Sequence, residues 1–481
     1  MFDPDRWGLP DQAVVRLGDD LYDFWEQYRA CFRTRTRDTS EQAYVFLRGQ
    51  LTMDDQRNYA NIDRRLTGGD GQGLQQFVTD SPWSGARVFR QIQAEIQAQP
   101  VLRQGGVLIL DECADEKAGG QSAGAGRQHN GRLGKVDLCQ VATCVVYAHP
   151  QHAVWALVDS ELFLPQAWFS PAQASLRREV GVPADRGFAT KPELGLKMIQ
   201  RLHAQGLPFE RVACDDLYGR NRAFRAALDG EGIRYAAEVP ANTSVYLKRP
   251  VLGVPRPRRR PGRKCSRLKV RSRHRPHAVA EVARRHATVW RRVQVRATER
   301  GVLEADFALA RVWTLTPTQQ VREEALVIRR DWDGRLTFVL LNEPAETPPE
   351  TLIQASCQRY FTERAFQDAK SELGWDDFQA RKYRAWEHEV ALTAATLWFI
   401  ARVKLKWTQT YARDPALTRQ LAVAVLPALS AANVRELMQA VLPVPHLTRQ
   451  QARHLVATHL VKRARSTASR LRTQHDHRES S

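Results

Sequence analysis

A chain of 481 residues with 43% hydrophobic and 26% charged side chains has the composition of a globular protein that can bury a sizeable core, so a disordered class is excluded. Its 72 Lys and Arg against 53 Asp and Glu leave a formal net charge of +19, which points to a polyanionic partner, nucleic acid ahead of an anionic membrane surface. Seven scattered cysteines (31, 113, 139, 144, 214, 265, 357) form no Cys-x-x-Cys pair, which argues against a zinc site and a disulfide framework and favours a reducing cytoplasm.

In chain order, residues 1 to 100 read as helices and are expected to form an N-terminal DNA-binding region. Leu21, Phe24, Trp25, Tyr28, Cys31 and Phe32 recur at helical spacing. Thr39 or Ser40 can cap a second helix carrying Ala43, Val45, Phe46 and Leu47, and a third runs from Ala86 to Ile96. The pattern then changes. Val107 to Leu110 is a short apolar run, as in a buried strand, and it ends on Asp111. A loop with Gly119, Gly120, Gly124 and Gly126 follows. Leu138 to Tyr147 and Val154 to Val158 read as a hairpin about His149-Pro150-Gln151. Glu193 to Gln205 is a helix closed by Gly206. Arg211 to Cys214 is a second short strand ending on an acid, Asp215. A helix from Arg220 to Leu228 and a strand from Ile233 to Val239 complete the first part of an RNase H-like α/β core, residues 101–240.

Residues 241–350 read as a β-rich basic insertion. Pro250, Pro255, Pro257 and Pro261 break its start, and Arg256 to Arg275 holds eleven Lys or Arg and no acid. Strands are predicted over Val289–Val295, Ala305–Leu315, Ala325–Arg329 and Leu336–Leu341. Trp290, Trp313 and Trp332 are read as core residues, one of which can instead stack on an unpaired base. Helices resume near Leu352 (351–405, the second part of the core, then 406–461), and a polar basic tail, 462–481, reads as disordered. The longest apolar stretch, Val390 to Ala401, is interrupted by Thr, ends at Arg402 and falls short of the ~20 residues a spanning helix needs. The N-terminus lacks the layout of a signal peptide.

An Asp at a strand end is usually a turn residue or a helix cap. Two of them on neighbouring strands of one sheet can instead share a pair of metal ions, which suits phosphodiester cleavage because both the attacking and leaving oxygens are stabilised. Hard ions such as magnesium prefer carboxylate oxygens. A third acid is expected from a helix facing those strand ends. Arg359, Glu363 and Lys370, at offsets of four and eleven, fall within roughly 40° of one another on a helix, with Phe366 on the same side to pack against the sheet. The same spacing also describes an ordinary ion-paired helix. Asp159 and Glu161 follow a strand and compete for a catalytic role. His129 reads as a loop or DNA-facing residue.

The motifs resemble those of bacterial insertion-sequence transposases of the DDE superfamily, in the branch with the signature Y-x2-R-x3-E-x6-K. Arg359, Glu363 and Lys370 match its last three positions, while Ser356 stands at the Tyr position. Asp111-Glu112-Cys113, followed by Gly-Ala-Gly-Arg-Gln-His-Asn-Gly (124–131) and Gly-Lys-Val-Asp-Leu-Cys-Gln-Val (134–141), resembles the region around the first catalytic Asp, with Asp-Glu-Cys-Ala in place of Asp-Asp-Thr-Gly. Asp215-Asp216-Leu217-Tyr218-Gly219 matches D-x-x-Y-G around the second, and Leu-Arg-Gly-Gln-Leu (47–51) resembles an N-terminal family stretch. The resemblance spans residues 40 to 405. It implies an RNase H-like fold with a β insertion before the catalytic Glu. It also implies Asp111, Asp215 and Glu363 holding two Mg²⁺ ions, with Mn²⁺ able to substitute, and Arg359 and Lys370 on the DNA backbone. The implied activity is cut-and-paste transposition of double-stranded DNA by a cytoplasmic bacterial protein, nucleoid-associated and acting as a homodimer on paired ends. A domesticated DNA-binding protein without transposition and a stand-alone metal nuclease are the rivals.

Arg258, Arg259, Arg260, Arg263 and Lys264 are assigned to DNA phosphates. Changing all five to Gln should weaken DNA binding and flatten its salt dependence, by about 0.9 in the log–log slope for each phosphate no longer neutralised. A salt titration returning the wild-type slope would make the run a solvated loop.

Overall fold

The computed structural model describes residues 16–254 and 268–444 apart from positions 132, 272, 288, 299–300, 379, 421–423 and 427, with scattered positions from 450 to 468. Arg258, Arg259, Arg260, Arg263 and Lys264, and the tail beyond residue 468, lie outside the described residues.

Among the described residues five α-helices come first: α1 (Leu17–Tyr28), α2 (Ser40–Thr52), α3 (Tyr59–Leu66), α4 (Gln72–Thr79) and α5 (Gly85–Ala98). The helical spacing of Leu17, Leu21, Phe24, Trp25 and Tyr28 puts all five on the buried face of α1. Thr39 stands at the N-cap of α2, but its hydroxyl donates to the Phe32 carbonyl; the Asp38 carboxylate accepts the Ser40 N–H at 3.0 Å. These helices share one hydrophobic core with the sheet and with the long helix α13 described below.

The sheet has ten strands: β1 (Val107–Glu116), β2 (Gly126–Asn130), β3 (Lys135–His149), β4 (Val154–Phe163), β5 (Arg211–Cys214), β6 (Tyr235–Val239), β11 (Arg291–Thr298), β12 (Gly301–Leu315), β13 (Val321–Arg330) and β14 (Leu336–Leu341). The short strands β7 (Ser244–Val245), β8 (Leu252–Gly253), β9 (Lys269–Val270) and β10 (His277–Ala278) pair off the main sheet. Across the sheet the order is β11-β12-β13-β14-β6-β5-β1-β3-β2, with β4 also on β3. β1, β5 and β6 are mutually parallel and every other neighbour in the sheet is antiparallel. The helices between are α6 (Ala174–Glu179), α7 (Lys191–Ala204), α8 (Asp216–Gly219), α9 (Arg222–Gly230) and α10 (Val279–Arg285); α11 (Pro349–Ser356), α12 (Tyr360–Gln367), α13 (Tyr383–Thr410), α14 (Pro415–Gln420) and α15 (Ala431–Val441) follow. This is the mixed α/β architecture expected of an RNase H-like core with helical flanks.

The first strands differ from expectation at two points. β1 does not end on Asp111: the fifteen-residue β3 supplies antiparallel partners as far as Glu116, beyond the point where the parallel partner β5 stops. The Gly-rich stretch is a loop only as far as Ala125, since Gly126 to Asn130 pairs along the first part of β3 and leaves His129 exposed on β2.

The insertion does not hang from the core. β14 pairs with β6 from Phe338↔Val239 to Leu341↔Ala236, so its strands continue the core sheet. α10 covers one face of this extension and α11 the other. Charged side chains tie it down as well. Glu324 of β13, fully buried, accepts from Tyr235 Oη of β6 at 2.5 Å and lies 3.4 Å from Arg225 of α9. Not all of the tryptophans are core residues: Trp290 and Trp313 are half-buried, Trp290 under the Arg330 guanidinium, while Trp332 at the β13–β14 turn is 92% exposed.

The apolar stretch Val390 to Ala401 is the buried middle of α13, which packs on β4, α5 and α2. No helix among the described residues is long and apolar enough to cross a membrane. Gln50, from the Leu-Arg-Gly-Gln-Leu stretch, is wholly buried; it donates to Thr393 Oγ1 of α13 at 3.0 Å and accepts from Thr396 at 2.7 Å.

α13 also buries an acid. Burial pushes the Glu389 carboxyl up to about 8, with Thr393 and Lys117 opposing the rise and Asp377 adding to it, and its Oε2 has no hydrogen-bond partner among the described residues. A carboxyl whose folded value lies above its unfolded one binds its proton more tightly when folded. Stability is therefore lost as pH rises from about 4.5 to about 8. Glu389→Gln should remove that loss and make the protein more stable than wild type at pH 9, by on the order of 3–5 kcal/mol, with little difference at pH 4.5. Denaturant titrations at the two pH values check this; an equal effect at both would mean the carboxyl is charged throughout.

Candidate active site

The site begins with strand register. Leu110 of β1 stands opposite Cys214 of β5, and Cys214 opposite Ala237 of β6. The next residue is in each case an acid: Asp111 and Glu238 within β1 and β6, and Asp215 just past the end of β5. Leu110 packs against Gly195 of α7, so the alternation of strand side chains turns Asp111 to the opposite face, where α12 lies against β1, β3 and β4. Glu238 was not singled out from sequence. Its only signal in the sequence was an acid next to the end of a third short apolar strand.

Asp215 is both a cap and a site residue. Its Oδ1 accepts the backbone N–H groups of Leu217 at 3.0 Å and Tyr218 at 3.4 Å, capping α8. The D-x-x-Y-G motif then has a local explanation. A Cβ on Gly219 would sit 1.8 Å from the Glu238 carbonyl oxygen, so only glycine lets α8 lie against β6. Tyr218 is buried and its hydroxyl donates to Glu112 Oε1 at 3.4 Å, while Lys191 Nζ pairs with Glu112 Oε2 at 3.0 Å. Glu112 is thus engaged on the face away from Asp111. Asp111 is steadied by its own strand, with Oδ1 accepting the Glu112 N–H at 2.8 Å.

The helix that follows is shorter than its spacing implies. α12 ends at Gln367 and the chain continues in a π turn, Asp368–Glu372, so Arg359, Glu363 and Lys370 do not lie on one continuous α-helix. Arg359 precedes the first helical residue. Its Nη1 donates to Asp111 Oδ2 at 2.8 Å, its Nε to Glu238 Oε1 at 3.3 Å and its Nη2 to Glu363 Oε1 at 3.2 Å. Lys370 points back at β1 and donates to the Ala114 carbonyl at 2.7 Å. Phe366 is partly buried beside Trp375. Glu372 turns away and meets Arg435 of α15 at 3.1 Å. The competing acids are committed to ion pairs: Asp159 with Arg201 at 2.7 Å, and Glu161 with Arg186 at 2.5 Å.

The structure therefore brings Asp111 and Asp215 together and joins Glu363 to them only through Arg359, leaving the Glu363 side chain 60% exposed. Among the described residues, no three His, Cys, Asp or Glu side chains stand close enough to hold one metal ion. The pair has the electrostatics of a cation site. Burial, then the charges of Asp111 and Glu112, push the Asp215 carboxyl up to about 7; burial pushes Asp111 up to about 6 against the pull of Arg359. Two neighbouring hard carboxylates, the charge of Asp111 raising that of Asp215, fit a divalent ion.

A family model described as DDE superfamily endonuclease matches residues 27–302, more than half of the chain. The chain belongs to the DDE superfamily endonucleases. The matched segment holds Asp111 and Asp215 and stops short of Glu363. A protein of Microchaete diplosiphon, described as "Probable transposase for insertion sequence element IS701", is 25% identical over 363 residues, 75% of this chain and 82% of that protein. DDE endonucleases generally act with divalent metal ions, which agrees with the chemistry of the Asp111–Asp215 pair.

In the metal-free endonuclease the Asp215 charge costs stability. Its carboxyl value is raised on folding, so the loss begins above the ordinary carboxylate value and is complete above about 7. Asp215→Asn should leave the metal-free protein with a higher Tm than wild type at pH 8, the difference shrinking towards pH 4. Melting curves in a chelator that showed a lower Tm for the variant at pH 8 would contradict the repulsion.

Proposed function

We propose that the chain is a transposase that cuts DNA at the ends of its element and joins the freed ends to target DNA, with Asp111, Asp215 and Glu363 as its metal-holding carboxylates. The observation that carries this reading is the register of β1 and β5, which sets Asp111 beside Asp215 on the face α12 covers. The transposase description of the 25% identical relative supports the same direction.

Two Mg²⁺ ions, or Mn²⁺ in their place, would supply activation of water and stabilisation of the leaving oxygen. The chain's own residues do the rest. Asp111 is held in place by the Glu112 N–H and Asp215 by the first turn of α8, so neither ligand has to be ordered at the moment of reaction. Glu363 approaches from α12. Water hydrolyses a phosphodiester at each end, and the 3′-hydroxyl so released attacks the target, with no covalent enzyme intermediate. Arg359, Lys370 and the basic run 256–264 are assigned to the DNA backbone, and two copies of the chain to the paired ends, in the cytoplasm of a bacterium. A domesticated DNA-binding derivative is the second reading; retention of all three acids favours the active enzyme.

Asp111→Ala, Asp215→Ala and Glu363→Gln should each abolish Mg²⁺-dependent nicking of an oligonucleotide carrying the terminal sequence, while mobility-shift binding changes little, since phosphate affinity rests on Lys and Arg. Glu372→Gln, which loosens only the contact with Arg435, should keep most activity. Nicking by an Asp111 or Asp215 variant at the wild-type rate would sink the assignment. Wild-type binding without nicking would favour the domesticated protein, and cutting without strand transfer a plain nuclease.

A further inference from the structure

Arg359 engages three acids through three different nitrogens, and each acid comes from a separate part of the fold: β1, β6 and α12. Two of the three are carboxylates assigned above to metal. A guanidinium and a divalent ion cannot use the same lone pairs, and a guanidinium cannot make way by losing its proton, because it stays charged at any ordinary pH. It must move. Nη1 and Nη2 are the atoms on Asp111 and Glu363, whereas Nε, at the root of the fork, is the atom on Glu238. Turning the fork away from Asp111 and Glu363 therefore need not break the contact with Glu238.

We propose that Arg359 is a displaceable counterion: in the metal-free protein its guanidinium bridges Asp111 and Glu363, and Glu238 is the positioning residue that retains it when divalent ions take those carboxylates. The proposal rests on the assignment of Asp111, Asp215 and Glu363 as ligands. It gives Glu238, an acid in the same row as Asp111 and Asp215, a role distinct from theirs. The arrangement offsets part of the charge of the acidic row before metal arrives. It also keeps Arg359 at the rim of the site afterwards, where a DNA phosphate can take the place of the carboxylates on its Nη atoms.

The test is Mn²⁺ binding to the full chain, followed by calorimetry at fixed ionic strength without DNA. Removing the competitor should tighten binding: Arg359→Gln by about tenfold, the scale of one charge-assisted hydrogen bond. Arg359→Lys, a milder change that keeps a cation without the fork, should tighten it less. Glu238→Gln should do the opposite and weaken binding about threefold, because Arg359 loses its alternative partner and holds Asp111 and Glu363 harder. In the Arg359→Gln background, Glu238→Gln should have no further effect. That last result separates a positioning role from ligation, since a true ligand loses affinity in both backgrounds. Weaker or unchanged Mn²⁺ binding in Arg359→Gln overturns the proposal, as does an equal loss from Glu238→Gln in both backgrounds. Wild-type Mn²⁺ binding that survives Asp111→Asn and Asp215→Asn would instead overturn the ligand assignment, and the counterion with it.

Discussion

Asp111 and Glu238 on β1 and β6, and Asp215 just past the end of β5 between them, stand at one level, and like charges so placed oppose the folding that assembles them. The charge that offsets them is Arg359, which reaches Asp111 across 248 positions of sequence. The rest of the architecture can be understood from that requirement. The chain must leave β6, build the insertion, and return with α12 on the face to which Asp111 points. The insertion's last strand accomplishes the return: β14 pairs with β6 itself, so α11 and α12 start from a fixed place beside the acidic row.

What holds the return in place lies behind the site. α13 is the buried axis on which the N-terminal helices and the sheet both pack. Gln50 of α2 reaches α13 at Thr393 and Thr396 and also donates to the Leu373 carbonyl at the end of the π turn. Arg57 reaches the Ser371 carbonyl at 2.7 Å from the same side. The wider turn at 368–372 is thus gripped by the N-terminal helices, and it is this turn that sends Lys370 to the Ala114 carbonyl and Glu372 to Arg435.

The sequence showed the parts of this plan that local chemistry dictates. Val107 to Leu110 and Arg211 to Cys214 read as buried strands because four and three apolar residues in a row, Val107 to Leu110 and Val212 to Cys214, stop at an acid, and both acids were recognisable from that boundary. Leu336 to Leu341 was legible to the residue. The extension of β1 past Asp111 was not, because polar residues in a strand are permitted by the partner, here β3, and not by their own pattern. Glu238 was hidden for the same reason: register between strands is a tertiary fact, and Glu238 precedes the end of its apolar run instead of closing it. The break between α12 and the π turn was equally invisible. A count of 100° per residue assumes that the i→i+4 ladder is unbroken. The exposure of Trp332 reversed a composition-based expectation, since a hairpin tip offers no second layer to bury a ring.

The pairing of β14 with β6 also says what the protein cannot do without. A segment inserted between β6 and the helices α11 and α12 could have been an accessory to the core. Here the trimmed core would end in β6 with its outer row of N–H and C=O groups bare, Glu238 among the residues of that row, and an unpaired strand edge is a template for another chain. Glu324 would leave with β13, and the Arg225 guanidinium it faces would lose a buried counter-charge. The strands from 291 to 341 and the core sheet are therefore one folding unit: the sheet cannot shed the strands that close its own edge.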